Sequence, residues 1–434
     1  MLITSTQDFM PDYTDLLQAN RKLGYSTLTA IADICDNPVD AGASNVWVNI
    51  DADGDKVKSI IISDDGSGMT QYHLQKALVP ASTGRTRNPL ANELGFFGVG
   101  LVASGLSLGN KIEIYTRGSE GDFYSYIDWN EKVLTNNPVN LIRRCTPEES
   151  KDIIEPRLHG NETGTVIWIS DINIAHSKYD YLIERLEFHL AVTYYNLRDK
   201  YQIHLNDNAI KPWDIIENGD GHDTSEVFEY PVKLQMNDQV IDTVIKLQFS
   251  YLKKENPSRP SKAYGTLEFN STGALERNGR LLTYGSWLVN RGKSNPYNGL
   301  RFRLSYNDSR LDDIIFDINV QKDDCKIIDE DFYKWLHNHI VDYWTKTAKP
   351  IFDKYRGQTN TEQRKSGKKL PVAQDRLLYL ADSKLVKSLK NVDVTKLTYQ
   401  QALQQLKAFH LMASNIDKDA EEARILKATL KSTF

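Results

Sequence analysis

The sequence predicts an α+β fold: helices laid on a mixed sheet, then a strand-rich α/β region, then a helical C-terminal region. Three observations carry this. Residues 26–37 place Leu28, Ile31, Ala32 and Cys35 on one helical stripe, directly ahead of two strand patterns. From about Tyr201 to Ile328 strand patterns dominate, among them Val244–Leu252 and Leu300–Tyr306. After Asp329 the helical period returns over Phe332–Tyr355 and Val394–Leu430.

The elements follow in order. The second face of the first helix carries Asp33, Asp36, Asn37 and Asp40. Pro38 lacks an N–H, so the helix is expected to bend or end there. Asn45–Ile50 alternates like a half-buried strand, Asp53-Gly54 reads as a hairpin turn, and Val57–Ser63 is the return strand. That strand runs into Asp64-Asp65-Gly66-Ser67-Gly68. A short helix near Thr70–Leu78 leads to a polar loop, Pro80–Asn92, and Gly95 to Gly100 opens a helix reaching Leu108. Strands are predicted at Lys111–Tyr115, Phe123–Asp128 and Thr165–Ser170, and a helix over Tyr179–Leu197. The organisation is an N-terminal segment over 1–25, a first domain over 26–200, a second over 201–330 and a basic helical region over 331–434. The last has a linker near 357–371, where the chain is polar, basic and glycine-containing.

A chain of 434 residues, 40% apolar and 26% charged, has the length and composition for two or three domains. No apolar run approaches the ~18–20 residues of a membrane span, and the acidic N-terminus does not read as a signal peptide, so a cytoplasmic location is expected. Cys35, Cys145 and Cys325 have neither metal-ligand nor disulfide-framework spacing. The net charge of −5 is uneven: from Lys334 onward it is +9, and before that −14. An acidic body with a basic tail suits an acidic partner; a lysine-rich solvated face is the alternative reading. His337 and His339, two apart on a helix, face different directions and read as structural.

The glycine-bearing segments have physical reasons to serve a nucleotide. Asp64, at a strand end, can accept a hydrogen bond from the exocyclic amine of adenine, and Gly66 and Gly68 let the backbone approach a base. Gly95, Gly98 and Gly100 precede a helix, where backbone N–H groups suit phosphates. Asn37 offers a neutral oxygen for Mg²⁺ alongside phosphate and water oxygens. Asp33, one turn earlier, can hold or deprotonate an attacking water. No Gly-Lys-Ser/Thr follows the glycines and the Rossmann context is missing, so neither common phosphate loop applies.

Ala30–Ala43 (AIADICDNPVDAGA), Ser63–Met69 (SDDGSGM), Leu94–Gly109 (LGFFGVGLVASGLSLG) and Thr163–Ser170 (TGTVIWIS) resemble the four motifs of GHKL ATPases, the superfamily of gyrase, MutL, the large heat-shock chaperones and histidine kinases. The LGYSTLTAIA lead-in, the DDGSGM form and the SLG ending are most similar to the MORC-like branch with its bacterial members. Gly273–Asn290 and Leu311–Asp324 resemble that branch's transducer domain.

The resemblance implies a Bergerat-type ATP-binding sandwich followed by a transducer. It implies a nucleotide set of Asn37, Asp40, Asp64, Gly66, Gly68, Met69, Gly95, Phe97, Gly98, Val99, Gly100, Leu101 and Thr165, with Mg²⁺ on Asn37. Asp33 and Lys322 take catalytic roles, Lys322 reaching the γ-phosphate; a surface lysine beside Asp323 and Asp324 is the alternative. The lid includes Ser82, Thr83, Gly84 and Arg85. Three departures matter. Asp33 replaces the usual Glu, whose longer arm reaches about 1.5 Å further, so slow hydrolysis is expected. Pro38 follows the metal-binding Asn, and Val102 stands where a Lys is common, with Arg85 or Arg87 as its replacement. A nucleotide-gated homodimer is implied, by analogy a clamp acting on DNA in bacterial genome or anti-phage defence. The nucleic-acid candidates are Arg364, Lys365, Lys368 and Lys369. The alternatives are a non-hydrolysing ATP sensor bound to a partner effector protein, or a chaperone-like remodeller.

Overall fold

A computed structural model describes residues 24–78, 94, 100–129, 142–174, 179–216, 222–236, 239–252, 272–285, 299–312, 314–319, 322 and 325–354. All belong to one compact unit, Met1–Tyr355, built on two large sheets.

Helix α1 (Thr27–Asp40) starts at a reciprocal cap: the Ser26 hydroxyl accepts from Thr29 N (3.1 Å) and the Thr29 hydroxyl accepts from Ser26 N (3.1 Å). The helix does not stop at Pro38. It runs two residues further, because the carbonyl left without a donor by Pro38, that of Ile34, accepts from Asn37 Nδ2 at 3.3 Å.

Strands β1 (Asn45–Asp53) and β2 (Lys56–Asp64) form the expected hairpin, with Gly54 at φ +61° in its turn. Helices α2 (Gln71–Ala77) and α3 (Gly100–Leu108) follow, then β3 (Gly109–Gly118), β4 (Gly121–Asp128) and the short β5 (Arg143–Arg144). A helical run over 147–157, α4, precedes β6 (Gly164–Ile172) and α5 (Tyr179–Thr193), and β7 (Gln202–Leu205) and β8 (Asn208–Ala209) complete the sheet. Its order is β5-β4-β3-β6-β2-β1-β7-β8, antiparallel throughout except β1 against β7. The strands outrun the hydrophobic alternation because the backbone ladder continues through polar residues, as at Thr116 and Arg117. Helix α5 stops before the expected Leu197, and a 3₁₀ turn, Tyr195–Leu197, replaces its last stretch.

The helices α1, α3 and α5 cover one face. Ile31, Ile34 and Cys35 pack with Val46, Val48, Ile60, Ile62, Leu106 and Leu186. On the opposite face Ile154 and Leu158 cover Tyr115, Tyr124 and Val166.

The second sheet comprises β9 (His222–Thr224), β10 (Phe228–Met236), β11 (Gln239–Leu252), β12 (Thr272–Arg277), β13 (Arg280–Gly285) and β14 (Leu300–Tyr306), in the path β10-β11-β14-β12-β13 with β9 on β11. A small pair, β15 (Phe316–Ile318) and β16 (Cys325–Ile327), lies beyond it. Helix α6 (Glu330–Tyr343) follows. Its stripe of Phe332, Leu336, Ile340 and Tyr343 belongs to the core of the second sheet, together with Phe249, Phe302 and Leu304. The stripe, within the basic helical region expected over 331–434, packs its apolar residues on the sheet before it. His339 accordingly serves packing: its ring meets Phe228 edge-on and its Nδ1 lies 2.9 Å from Trp335 O. The two sheets meet where Phe188 and Val192 of α5 pack on Ala274 and Leu281.

Among the described residues no helix is long and apolar enough to cross a membrane.

Candidate functional site

The first part of the site sits at the end of β2. Asp64 pairs in register with Thr165 of β6, and its carboxylate, 5% exposed, accepts from Gly66 N at 2.8 Å. Burial, reinforced by the neighbouring Asp65 charge, raises its pKa from the ordinary carboxylate range to about 7, against the lowering effect of the Gly66 and Thr165 backbone N–H groups. Gly68 has φ +65°, and a Cβ there would lie 2.0 Å from Arg117 O, so only glycine fits. Thr116 of β3 ties the turn together: its hydroxyl lies 3.1 Å from Thr165 Oγ1 and accepts from Met69 N at 2.8 Å. Thr163 donates to Gly66 O at 2.8 Å.

The second part is buried and ionic. Lys322 donates to Asp33 Oδ1 (2.7 Å), to Asp36 Oδ2 (2.7 Å) and to Leu94 O (3.3 Å). The other Asp33 oxygen accepts from Tyr25 OH and Ser104 OH, each at 3.1 Å. Gly100 opens α3 against this carboxylate; a Cβ there would stand 2.6 Å from Asp33 Oδ2. Asp36 Oδ1 accepts from Arg280 Nε at 2.6 Å and lies 2.7 Å from Tyr194 OH. Burial alone would raise the Asp36 pKa, but the charges of Arg280 and Lys322 overcome it and hold the group below the usual carboxylate range. The same neighbourhood acts on His189 of α5: burial, then the positive charges of Arg280 and Arg185, depress its pKa to about 3, so it is neutral.

The arginines arrive from the second sheet, and Lys322 from the segment between β15 and β16. Arg277 and Arg280 face each other across the tight β12–β13 turn, Asn278-Gly279, whose two residues both have positive φ as a type I′ turn requires. Arg277 pairs with Asp312 and also donates to Leu94 O at 3.2 Å. Lys322 has φ +56°, a left-handed conformation that is sterically costly for a side chain of this kind. Leu94 is thus held at both ends, its N–H donating to Asp40 Oδ1 at 2.8 Å.

Helix α1 joins the two parts. Ala41, which caps its end, packs against Gly66 and its carbonyl accepts from Ser67 N at 3.1 Å. Asp33 lies eight residues earlier, about 12 Å along the axis at 1.5 Å per residue. Asn37 lies between them and is exposed, with its amide nitrogen turned to Ile34 O. That leaves its oxygen as the acceptor directed elsewhere. One neutral oxygen fits a Mg²⁺ that keeps water and phosphate as its other ligands. Among the described residues no group of three or more His, Cys, Asp or Glu makes a self-contained metal site.

The structure therefore brings Asp64, Gly66, Gly68, Met69 and Thr165 together at one end, and Asp33, Gly100 and Lys322 at the other. Asp40 holds Leu94, and Leu101 is partly buried against the first core. Val102 is buried in that core, 2% exposed, and the cations of the polar cluster are Arg280 and Lys322. Gly95, Phe97, Gly98, Val99, the lid residues Ser82, Thr83, Gly84, Arg85 and Arg87, Asp323 and Asp324, most of the N-terminal segment and the cluster Arg364, Lys365, Lys368 and Lys369 lie outside the described residues. Sequence reasoning gave no role to Asp36, Arg280, Arg277, Thr116, Ser104 or Tyr25. One usable signal existed for the arginines: Arg-Asn-Gly-Arg is a tight-turn sequence with a cation on either side, a poor composition for a buried hairpin tip unless acids receive it.

Residues 25–165 match the family described as histidine kinase-, DNA gyrase B-, and HSP90-like ATPase. The match covers α1 through the start of β6, including Asp33, Asn37, Asp64, Gly100 and Thr165, and it supports a GHKL-superfamily ATPase domain in this segment. Proteins of this superfamily generally bind ATP with Mg²⁺ and hydrolyse it.

Proposed function

We propose that the chain is a slow, Mg²⁺-dependent ATPase of the MORC-like branch, with the second sheet acting as its transducer. The observation that carries this reading is helix α1, which contacts the Asp64 turn at its end and presents Asp33 to Lys322 two turns earlier. Asp64 accepts the adenine amine, and Thr116 and Thr165 brace the strand ends beneath it. Asn37 holds the metal through its oxygen, and Mg²⁺ when bound neutralises phosphate charge. Asp33 orients and deprotonates water while Lys322, still held by its acids, reaches the terminal phosphate with the N–H it gives to Leu94 O. Its short arm keeps the rate low.

Lys322 belongs to the second sheet's part of the chain, so its contact with nucleotide links phosphate state to that sheet. In our reading this link drives closure of a homodimer through the N-terminal segment and the lid, and hydrolysis reopens it. DNA is the proposed partner of the dimer, in a bacterial genome-maintenance or anti-phage role; its support is the +9 charge of the chain from Lys334 onward.

One observation favours a second reading. Asp33 already receives three donors, one oxygen from Lys322 and the other from two hydroxyls, so it is engaged as a counter-ion and not displayed as a base. A non-hydrolysing ATP sensor that recruits a partner effector protein fits that state.

ATP turnover by wild type, Asp33→Asn and Asp33→Glu, with and without DNA, separates the two. The ATPase reading predicts on the order of a 10²-fold loss in Asp33→Asn with nucleotide binding retained. Equal turnover in wild type and Asp33→Asn, with both binding ATP, removes the catalytic role and leaves the sensor.

A further inference from the structure

The Lys322 ammonium has three N–H groups and all three are engaged, by Asp33, Asp36 and Leu94 O. The partners are unequal. The two carboxylates stand at 2.7 Å, whereas the Leu94 carbonyl is neutral, 3.3 Å away, and also bonded by Arg277. A phosphate oxygen entering the site meets least resistance at that third position, since Leu94 O keeps Arg277 when Lys322 leaves it. The two acids therefore fix where the ammonium sits, and the third N–H is the one available for exchange.

Asp36 is itself over-determined. Arg280 Nε and the Tyr194 hydroxyl engage one oxygen, which leaves the other to Lys322. The Tyr194 hydroxyl is anchored in turn 2.6 Å from Ala32 O. Two carboxylates and two cations balance in a volume where every member is no more than 5% exposed. Without the Asp36 charge the ammonium would keep one carboxylate, Asp33, instead of two.

We propose that Asp36, held by Arg280 and Tyr194, is a positioning residue that keeps Lys322 shared between two acids and thereby sets the preference for a nucleoside triphosphate over a diphosphate. The proposal rests on the ATP reading above. Asp36 touches no nucleotide; it acts through Lys322, whose contact distinguishes the terminal phosphate.

The test compares dissociation constants for ADP and for a non-hydrolysable ATP analogue, each with Mg²⁺, by calorimetry on the full chain. In Asp36→Asn the preference for the triphosphate analogue is expected to fall about tenfold or more, the worth of one hydrogen bond to a charged group, while ADP affinity is unchanged. Because Asp36→Asn leaves Arg280 without its acid, thermal melting checks the fold, and two further variants carry the test independently of that strain. Asp36→Asn/Arg280→Gln removes both charges and is expected to show the same loss. Tyr194→Phe keeps every charge and is expected to show a smaller, few-fold loss in the same direction. A triphosphate preference unchanged in the folded variants, or a matching loss for ADP and the analogue, overturns the proposal and leaves the nucleotide site standing. A wild-type chain that binds neither nucleotide overturns the site itself.

Discussion

The two ends of the site are built on opposite principles. At the Asp64 end the contacts that hold the acid come from one sheet and its turns, α1 touching the turn only through Ala41: β2 delivers the acid, β6 and β3 brace it, and Gly66 and Gly68 shape the backbone around it. Among the described residues no cation pairs with Asp64, and burial leaves it poised between protonated and ionised near neutrality. At the Asp33 end the acids of α1 are matched by cations 244 to 289 residues away in sequence. Among the described residues, the first end is held by its own sheet and one contact from α1. The second depends on how the second sheet docks, which is what a device for communicating nucleotide state requires.

The largest expected effect breaks the second end alone. Arg280→Met leaves Asp36 and Asp33 sharing a single cation in a buried space, and stability by urea unfolding is expected to drop by about 3–5 kcal/mol. An unchanged midpoint would mean that the ion cluster contributes nothing to holding the two sheets together.

A smaller effect probes the first end. The Asp64 pKa is raised in the free protein, so its carboxyl contributes stability that is full below about 4 and lost as pH rises through about 7. An adenine amine donates to the ionised form, so binding favours proton release and tightens as pH rises. Affinity is expected to be about tenfold weaker at pH 6 than at pH 8, one pKa unit below about 7 giving a tenfold excess of the protonated form. Asp64→Asn, measured in parallel, corrects for titration of the nucleotide and is expected to lack this component. The same pH dependence in both proteins would remove Asp64 from the base pocket.

The smallest effect concerns the helix that joins the two ends. Pro38→Ala returns an N–H to the Ile34 carbonyl, and the Asn37 amide no longer has to fill that place. Since the Asn37 amide already bonds that carbonyl, the helix is expected to gain only about 1 kcal/mol, while the Mg²⁺ requirement in nucleotide binding rises a few-fold as Asn37 loses its fixed orientation. An unchanged Mg²⁺ dependence would mean that Pro38 does not orient Asn37.

The contrast between the ends also explains what could be read from the sequence. The Asp64 turn, the β1–β2 hairpin and the acidic face of α1 lie within about forty residues, and each is a local signature of turn chemistry or periodicity. Lys322 was legible only through resemblance to a family, since nothing in its immediate surroundings marks it as buried. Asp36 was visible on the helix face, but an aspartate on an amphipathic helix is ordinarily solvated, and only tertiary docking brings Arg280 to it. Thr116 sits within a β-strand, where a threonine is common for its branching alone. Helix α6 shows the same limit: its apolar stripe was plain, but which surface it covers is a long-range fact.

The central claim is that helix α1 lies along one nucleotide, with its purine at Asp64 and its terminal phosphate at Lys322. A crystal structure with Mg²⁺ and a non-hydrolysable ATP analogue tests this most directly. The account predicts the adenine amine about 3 Å from the Asp64 carboxylate and a γ-phosphate oxygen about 3 Å from the Lys322 ammonium, the latter in place of Leu94 O. A nucleotide bound elsewhere, or one whose phosphates point away from Lys322 while it stays on Leu94, would contradict it.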